Sequence, residues 1–438
     1  LNLSETRSDN LYAVSEGGVR DWEGINSFHK TIASNPYVEE AWSSNFNGIY
    51  KANEVLEQLS EKGDEIFDND NLKERLTAET KFLRAFYYFD LVRWFGEVPL
   101  IDHTVTAKEA NAIPRSKVSK VYDLIISDLQ FAKEHLPESY SGDNVGRATK
   151  YAAEGVLALV YMTRSGPAYG IKGPGLGLDE WNKALPLLND IINGPFSFIS
   201  SYKKLFSYGN ENNSEVVFDV EYSTGSDPIV GGTFPWVLVP DAWFKSKGKN
   251  TQGGLQIRPI SEDLLNSYEP GDVRKSFSIQ QGYTTSDGVS DPRSFFVKYV
   301  DLSKVPDDRH DWPINYIVLR LTNVLLLKAE CILNGASGSQ GDVDNIVNEI
   351  RDRAGLPPIS NVTLKELMEV RRKEFAGEGK RWHALVRSGL VVDKMKAWIQ
   401  KDDVQDKISP FNKNYIIYPI PQSQLDVRAG LYTQNPGY

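Results

Sequence analysis

Apolar residues recur at helical spacing along most of the chain. In residues 39–60 one stripe repeats at spacings of four and three and would share one side of a helix: Trp42, Phe46, Ile49, Asn53 and Leu56. The same periodicity predicts helices over residues 72–95, 118–136, 148–164 and 178–192. Near the C-terminus it predicts three more, over residues 315–333, 342–354 and 364–389.

The lengths of these helices indicate how they are organised. Helices of similar length joined by short connections are typical of helix-turn-helix repeats of the tetratricopeptide type. The chain contains no W-x2-L-G-x2-Y unit, so the prediction depends on helix length and spacing alone. We expect a mainly α protein built on a helical scaffold.

Residues 196–313 follow a different pattern. Short β-prone runs, such as 216–222 and 294–300, alternate with clusters of Gly, Ser, Asp and Pro. This region predicts a loop-rich domain with a few short strands. We therefore divide the chain into four parts: an N-terminal loop segment that joins the irregular domain (1–38), a helical scaffold (39–195), an irregular ligand-binding domain (196–313) and a C-terminal helical scaffold with a closing segment (314–438).

Composition and charge exclude several classes of binding partner and structural site. The 438 residues carry 49 Lys and Arg against 59 Asp and Glu, a net charge of −10, which disfavours binding to nucleic acid or to anionic lipid. A single cysteine, Cys331, excludes an internal disulfide framework and a thiolate zinc cluster. The longest apolar run, 317–333, is interrupted by charged residues and is not a membrane span.

Motifs for common enzyme and cofactor chemistry are absent. The five histidines do not form an HExxH pair, and the chain has no GxSxG, GxGxxG or GxxxxGK[ST] sequence. We predict no cofactor, no metal and no catalytic residues. A pair of carboxylates for glycoside hydrolysis stays open, because such a pair is defined by its separation in space.

Several segments resemble the SusD/RagB family of surface nutrient-binding proteins. Residues 78–100 are similar to the family's signature helix, and further matches follow in the family's order: GRATK (146–150), LTNVLLLKAE (321–330), IRDRAGL (350–356), RRKEFAGEGKRW (371–382), YPIP (418–421) and QNPGY (434–438). The resemblance implies four tetratricopeptide-like helix pairs beside an irregular domain. It also implies an outer-membrane lipoprotein at the cell surface, which captures oligo- or polysaccharide for a SusC-like TonB-dependent transporter and is not an enzyme.

Some features of that family lie outside the chain or stay open. The lipidated N-terminal cysteine is not in this sequence, so the anchor is inferred from the resemblance. One group of relatives handles peptides, so capture of peptide or protein is an alternative to capture of glycan. A glycoside hydrolase on a helical scaffold is a third possibility.

Some charged residues and tryptophans of the predicted helices have a structural interpretation. Arg84, Glu374 and Arg381 lie within helical segments, and we expect buried ion pairs that link helices. Trp42 and Trp94 lie on apolar stripes, and we expect them in the core.

A sugar-binding surface needs flat aromatic rings beside hydrogen-bonding side chains, because a pyranose has an apolar C–H face and a polar edge. Two regions offer this combination. We predict ligand contacts from the N-terminal segment, where family members often place an arginine and a stacking tryptophan, through Arg7, Asp9, Trp22 and Asn26. In the irregular domain we predict them from Trp236, Trp243, Tyr283 and Trp312. For each aromatic residue, filling the small core of its own domain is the competing interpretation.

Overall fold

The structure is a computed structural model that describes residues 1–13, 20–67, 70–250 and 258–438. Helices dominate the described residues. In chain order they are α1 (Asp21–Asn26), α2 (Pro36–Ile66), α3 (Asp70–Phe95), α4 (Ala107–Ala110), α5 (Val118–His135), α6 (Lys150–Ser165), α7 (Trp181–Ile192), α8 (Phe234–Val237), α9 (Asp241–Ser246), α10 (Glu262–Ser267), α11 (Val273–Ser278), α12 (Leu321–Leu333), α13 (Gln340–Arg353), α14 (Leu364–Glu374), α15 (Arg381–Arg387), α16 (Val391–Asp402) and α17 (Gln422–Val427).

The strands are few and short. They are β1 (Val98–Pro99), β2 (Arg115–Ser116), β3 (Val216–Val220), β4 (Ile279–Thr284), β5 (Ser290–Phe296) and β6 (Tyr316–Arg320). They form three antiparallel pairs, β1 with β2, β3 with β6, and β4 with β5. The mainly α fold with a loop-rich region and a few short strands, as predicted from the sequence, is confirmed.

Local signals explain where the scaffold helices begin and end. At the start of α2 the Asn35 side chain accepts a hydrogen bond from the backbone N–H of Tyr37, and Pro36 occupies the first turn. The Thr149 side chain caps α6 in the same way. The helix α3 ends at Gly96, whose φ of +71° is left-handed and favours glycine.

The scaffold helices pack in a continuous row. Each of α2, α3, α5, α6, α7, α12 and α13 contacts the next one in that order. The facing stripes of α2, α3, α5, α6 and α7, with part of α12, form one large core that includes Trp42, Phe82, Ile125 and Leu157. The helix α13 packs on the other side of α12 in a second, smaller cluster that includes Val343 and Val347. Trp42 and Trp94 are both buried, so their predicted place in the core is confirmed. Among the described residues, no helix is both long and apolar enough to cross a membrane.

Two predicted helices differ from the structure. In the predicted helix 315–333, residues 316–320 form β6, and the helix α12 begins at Leu321. Alternate residues of β6 are buried, and β6 pairs with β3 about a hundred residues earlier in the chain, which helical periodicity does not reveal. The predicted helix 364–389 is two helices, α14 and α15, because the glycines between them, Gly377 and Gly379, adopt φ of +80° and +69°.

Two smaller elements also differ from the sequence-based prediction. The helix α16, with Val391, Met395 and Trp398 buried on one side, was not predicted. The predicted strand 294–300 is β5, which ends at Phe296, and the chain turns beyond it through a hydrogen bond from the Val300 N–H to the carbonyl of Val297.

The predicted buried ion pairs between elements are confirmed. The guanidinium of Arg84 on α3 makes two hydrogen bonds to the carboxylate of Asp128 on α5, at 2.7 and 2.9 Å. The guanidinium of Arg381 on α15 pairs with Asp9 at 2.8 Å on two atoms. Glu374 on α14 pairs with arginines from three other parts of the chain.

Candidate functional site

The four predicted ligand residues of the N-terminal segment lie inside the molecule. The Arg7 guanidinium lies 4.5 Å from the ring centre of Phe28 and 4.4 Å from that of Tyr418, and it donates to the carbonyl of Tyr415 at 2.9 Å. Trp22 is buried, with the Arg258 guanidinium 5.2 Å from its ring centre. These contacts join the segment to the closing residues of the chain.

Asp9 and Asn26 are equally enclosed. Burial alone would raise the pKa of Asp9, but Arg372 and Arg381 outweigh it and hold that pKa far below its ordinary value. The Asn26 side chain donates to the carbonyl oxygens of Thr6 and Leu11 and accepts from the N–H of Ala13. As placed, none of Arg7, Asp9, Trp22 and Asn26 presents a surface to a ligand, so we assign all four to the fold.

Two of the four predicted aromatic residues in the irregular domain belong to a small core. Trp312 is fully buried, with its ring centre 5.8 Å from that of Phe244. Trp243 is buried with its ring centre 5.6 Å from Phe295. An aromatic side chain in this core is not available for stacking on a sugar, so the core-filling interpretation holds for both tryptophans.

Trp236 and Tyr283 lie at the edge of the same core and are half-buried. The indole N–H of Trp236 donates to a carboxylate oxygen of Asp241 at 2.9 Å, which orients the ring. The planar guanidinium of Arg309 lies 4.7 Å from the Trp236 ring centre. On β4, the Tyr283 ring meets Phe295 edge to face at 5.7 Å.

The loop that precedes Trp236 in the chain contains two exposed apolar residues. Ile229 and Val230 are 50% and 47% exposed. The loop is tied down through Asp311, whose carboxylate accepts from the Thr224 hydroxyl at 2.6 Å and the Gly225 N–H at 2.9 Å. Sequence reasoning missed these residues because it weighted aromatic side chains and passed over short aliphatic pairs and arginines in loops.

We name Trp236, Tyr283 and Arg309 the aromatic rim. Trp236 and Tyr283 pack at the edge of one small core, and the planar cation of Arg309 lies over the Trp236 ring. Guanidinium and indole groups present both stacking faces and hydrogen-bond donors, which suits a ligand with apolar faces and hydroxyl edges. Within the described ranges, no group of three or more His, Cys, Asp or Glu side chains is placed to hold a metal ion.

A buried set of charges, which we name the central ion network, fastens the irregular domain to the C-terminal helices. Its members come from both parts and are almost wholly enclosed: Glu215, Arg274, Lys298, Arg320, Arg353, Glu374 and Glu378. Glu374 contacts Arg353 at 2.6 Å, Arg320 at 3.0 Å and Arg274 at 3.2 Å. Lys298 contacts Glu378 at 2.6 Å. The core that carries the aromatic rim is thereby held on the helical scaffold.

Two family models match the chain. Residues 4–162 match a model described as starch-binding and associating with the outer membrane. Residues 241–438 match the model of the SusD family.

Individual relatives align over most of their length. SusD-like protein P25 of Formosa agariphila is 26% identical, over 92% of this chain and 80% of the relative. Starch-binding protein SusD of Bacteroides thetaiotaomicron is 24% identical, over 85% of this chain and 74% of the relative.

Solved structures are similar over the whole chain. A laminarin-binding SusD-like protein has a TM-score of 0.81 at 26% identity, covering 100% of this chain and 94% of its own. Surface glycan-binding protein A from Bacteroides thetaiotaomicron, solved in complex with laminarihexaose, has a TM-score of 0.83 at 23% identity, covering 100% and 93%.

Proposed function

This chain belongs to the SusD family, and from that premise we propose that it captures oligo- or polysaccharide at the outer surface of the cell and delivers it to a SusC-like TonB-dependent transporter. A lipid anchor N-terminal to this sequence would hold it at the outer membrane. The proposed role is binding without bond cleavage.

The observation that carries the proposal is the match over the full chain to a laminarin-binding protein, at 26% identity and a TM-score of 0.81. The aromatic rim gives it a physical basis, because Trp236 beside Arg309 offers a stacking face with hydrogen-bond donors at its edge. Tyr283 supplies a second half-exposed ring on the same core. Of the residues predicted from the sequence, we therefore retain Trp236 and Tyr283 as ligand contacts.

An open surface of this kind predicts weak binding to each short segment of glycan. Each stacked ring contributes about 0.5–1.5 kcal/mol, so removing the Trp236 ring would weaken binding about 2- to 10-fold. We expect dissociation constants from micromolar to millimolar for oligosaccharides, and stronger retention of polymers that engage more than one site.

Affinity gel electrophoresis tests the proposal, with laminarin, starch and a panel of other plant, microbial and host polysaccharides in the gel. We expect retardation by one class of polysaccharide, and less retardation of Trp236→Ala. Phe131→Ala, which removes a half-buried aromatic ring from α5, is the matched control and should migrate as the parent protein does. Retardation that is equal in all three proteins would remove the aromatic rim from the proposal.

Two further measurements separate the competing functions. No new reducing ends should appear after incubation with the retained polysaccharide, whereas their release, abolished by a single carboxylate substitution, would establish a hydrolase. If no polysaccharide retards the protein and short oligosaccharides also fail to bind, a peptide panel would test the peptide-capturing alternative. Co-purification of the membrane-bound protein with a TonB-dependent barrel tests the transporter partner.

A further inference from the structure

A groove on the helical scaffold has the chemistry of a second ligand site and contains no residue of the aromatic rim. It lies between α2, the segment 99–111 after α3, and the C-terminal residues 424–432. We name it the scaffold groove. Its volume of about 580 Å³ is in the range of small-molecule binding sites.

Aromatic rings form one wall of the scaffold groove. Trp42, Phe46 and Tyr50 follow each other at four-residue intervals on α2, so they form one row that extends for about 12 Å along the helix. The Trp42 ring centre lies 4.9 Å from that of Phe46 and 6.4 Å from that of Tyr432 across the groove. Trp42 is buried at the inner end of the row, so Phe46, Tyr50 and Tyr432 are the rings that a ligand can reach.

The outer end of this row is open to solvent. Tyr50 is 49% exposed, and it is the most exposed aromatic side chain among the described residues. A ring exposed to this degree costs solvation free energy unless a partner covers it. Isolated exposed apolar residues are common, but Tyr50 continues a row of rings that lines a groove.

Two polar side chains of the groove are uncharged and available. The side-chain amides of Asn111 and Gln424 make no hydrogen bond with any described residue. Along the described part of the chain no Lys, Arg, Asp or Glu lines the groove, and its one imidazole, His103, contacts the carboxylate of Asp102 at 2.8 Å. The groove therefore offers stacking faces and amide donors and acceptors, with no carboxylate, ammonium or guanidinium group in its lining.

We propose that the scaffold groove binds a segment of neutral oligosaccharide, so that one polysaccharide chain is held at two places on the molecule. The C–H face of a neutral pyranose fits the rings of Phe46, Tyr50 and Tyr432, and its hydroxyl groups fit the side-chain amides of Asn111 and Gln424. The inference rests on the proposed function, since it assumes that the ligand is a glycan. Two weak sites on one polymer raise the overall affinity, because the second contact forms at high effective concentration.

Photo-crosslinking with peptide mapping tests the inference on the full chain. The probes are diazirine-labelled laminarihexaose and maltohexaose as neutral sugars, a hexagalacturonate as the acidic sugar, and an uncharged hexapeptide. We expect at least one neutral sugar to label residues 42–53 or 424–432. Labelling there should fall about three- to tenfold in Tyr50→Ala.

Two variants serve as controls for that experiment. Tyr50→Phe keeps the ring and loses the hydroxyl hydrogen bond to Glu54, and it should be labelled as the parent protein is. Trp236→Ala changes the aromatic rim and should leave labelling of the scaffold groove unchanged. Circular dichroism and thermal unfolding of each variant would confirm that the fold is retained.

The outcomes separate this inference from the proposed function. Neutral sugar that labels the aromatic rim and not the scaffold groove overturns the second site and leaves the proposed function standing. Equal labelling of the groove by the hexagalacturonate, or labelling by the peptide and by no sugar, overturns the assignment to neutral glycan. Absence of labelling by both neutral sugars at both places, together with no retardation by any polysaccharide, overturns the proposed function as well.

Discussion

Glu374 contacts three arginines of the central ion network, so replacing it should measurably lower the stability of the protein. The side chain is fully buried and contacts Arg353, Arg320 and Arg274. Burial alone would raise the pKa of Glu374, but these three arginines outweigh it and lower the pKa from 4.5 to about 2. The difference corresponds to about 3 kcal/mol of stability at neutral pH.

The direction of the pH dependence follows from that lowered pKa. Because the folded-state pKa lies below the unfolded value, the stabilisation is complete above about pH 5.5 and is lost as the pH falls towards 2. We expect Glu374→Gln to lower the free energy of unfolding by about 3 kcal/mol at pH 7. The difference between the two proteins should shrink by about 0.8 kcal/mol at pH 4 and by about 2 kcal/mol at pH 3.

Urea unfolding followed by tryptophan fluorescence at pH 7 and pH 4 measures both quantities. Glu61→Gln, at an exposed position on α2, is the matched control and should change the free energy of unfolding by less than about 0.5 kcal/mol at both pH values. A difference between Glu374→Gln and the parent protein that is the same at pH 7 and pH 4 would refute the electrostatic reasoning. Equal stability of the two proteins at pH 7 would refute the role assigned to the network.

Two further predictions test local features of the scaffold. Burial and the neighbouring Asp190 raise the pKa of Glu154 from 4.5 to about 8, so the stability that this residue contributes is present below pH 4.5 and is lost as the pH rises through 8. Glu154→Gln should raise the free energy of unfolding by about 4 kcal/mol at pH 8 and leave it unchanged at pH 4, which calorimetry would measure. Gly96→Ala should lower the free energy of unfolding in urea by about 3 kcal/mol or more, because φ is +71° and a Cβ would collide with the carbonyl oxygen of Lys172. The control is Gly142→Ala, where φ is +58° and the space around the residue is open, and it should lower the free energy of unfolding by about 1 kcal/mol.

The helical scaffold could be read from the sequence because its determinants are local. The stripe through Trp42 and Ile49, the Asn35 cap and the terminating Gly96 all act within a few residues of the helix they define. The bounds of α5 were predicted to within one residue for the same reason. The family resemblance also depends on contiguous segments, and the matched models confirm it.

One element that pairs across a long distance in the chain was predicted as part of a helix. The strand β6 is followed at once by α12, and its apolar residues continue the helical pattern, yet its backbone pairs with β3 about a hundred residues earlier. The link between Asp9 and Arg381 spans 372 residues. No local pattern carries the information that selects such partners.

The sequence by itself determined the helical scaffold, the loop-rich domain and the family, because periodicity, capping and contiguous motifs are properties of neighbouring residues. Only the tertiary structure decided which aromatic and charged side chains face solvent. Trp312 is fully buried, Trp236 and Tyr283 lie at the edge of the core, and Tyr50 is exposed. All four side chains are aromatic rings that carry a polar group, so residue type alone does not separate them. The physical reason is that an aromatic ring can stabilise a protein by filling its core or stabilise a complex by stacking on a ligand. Packing against residues distant in the chain decides between the two.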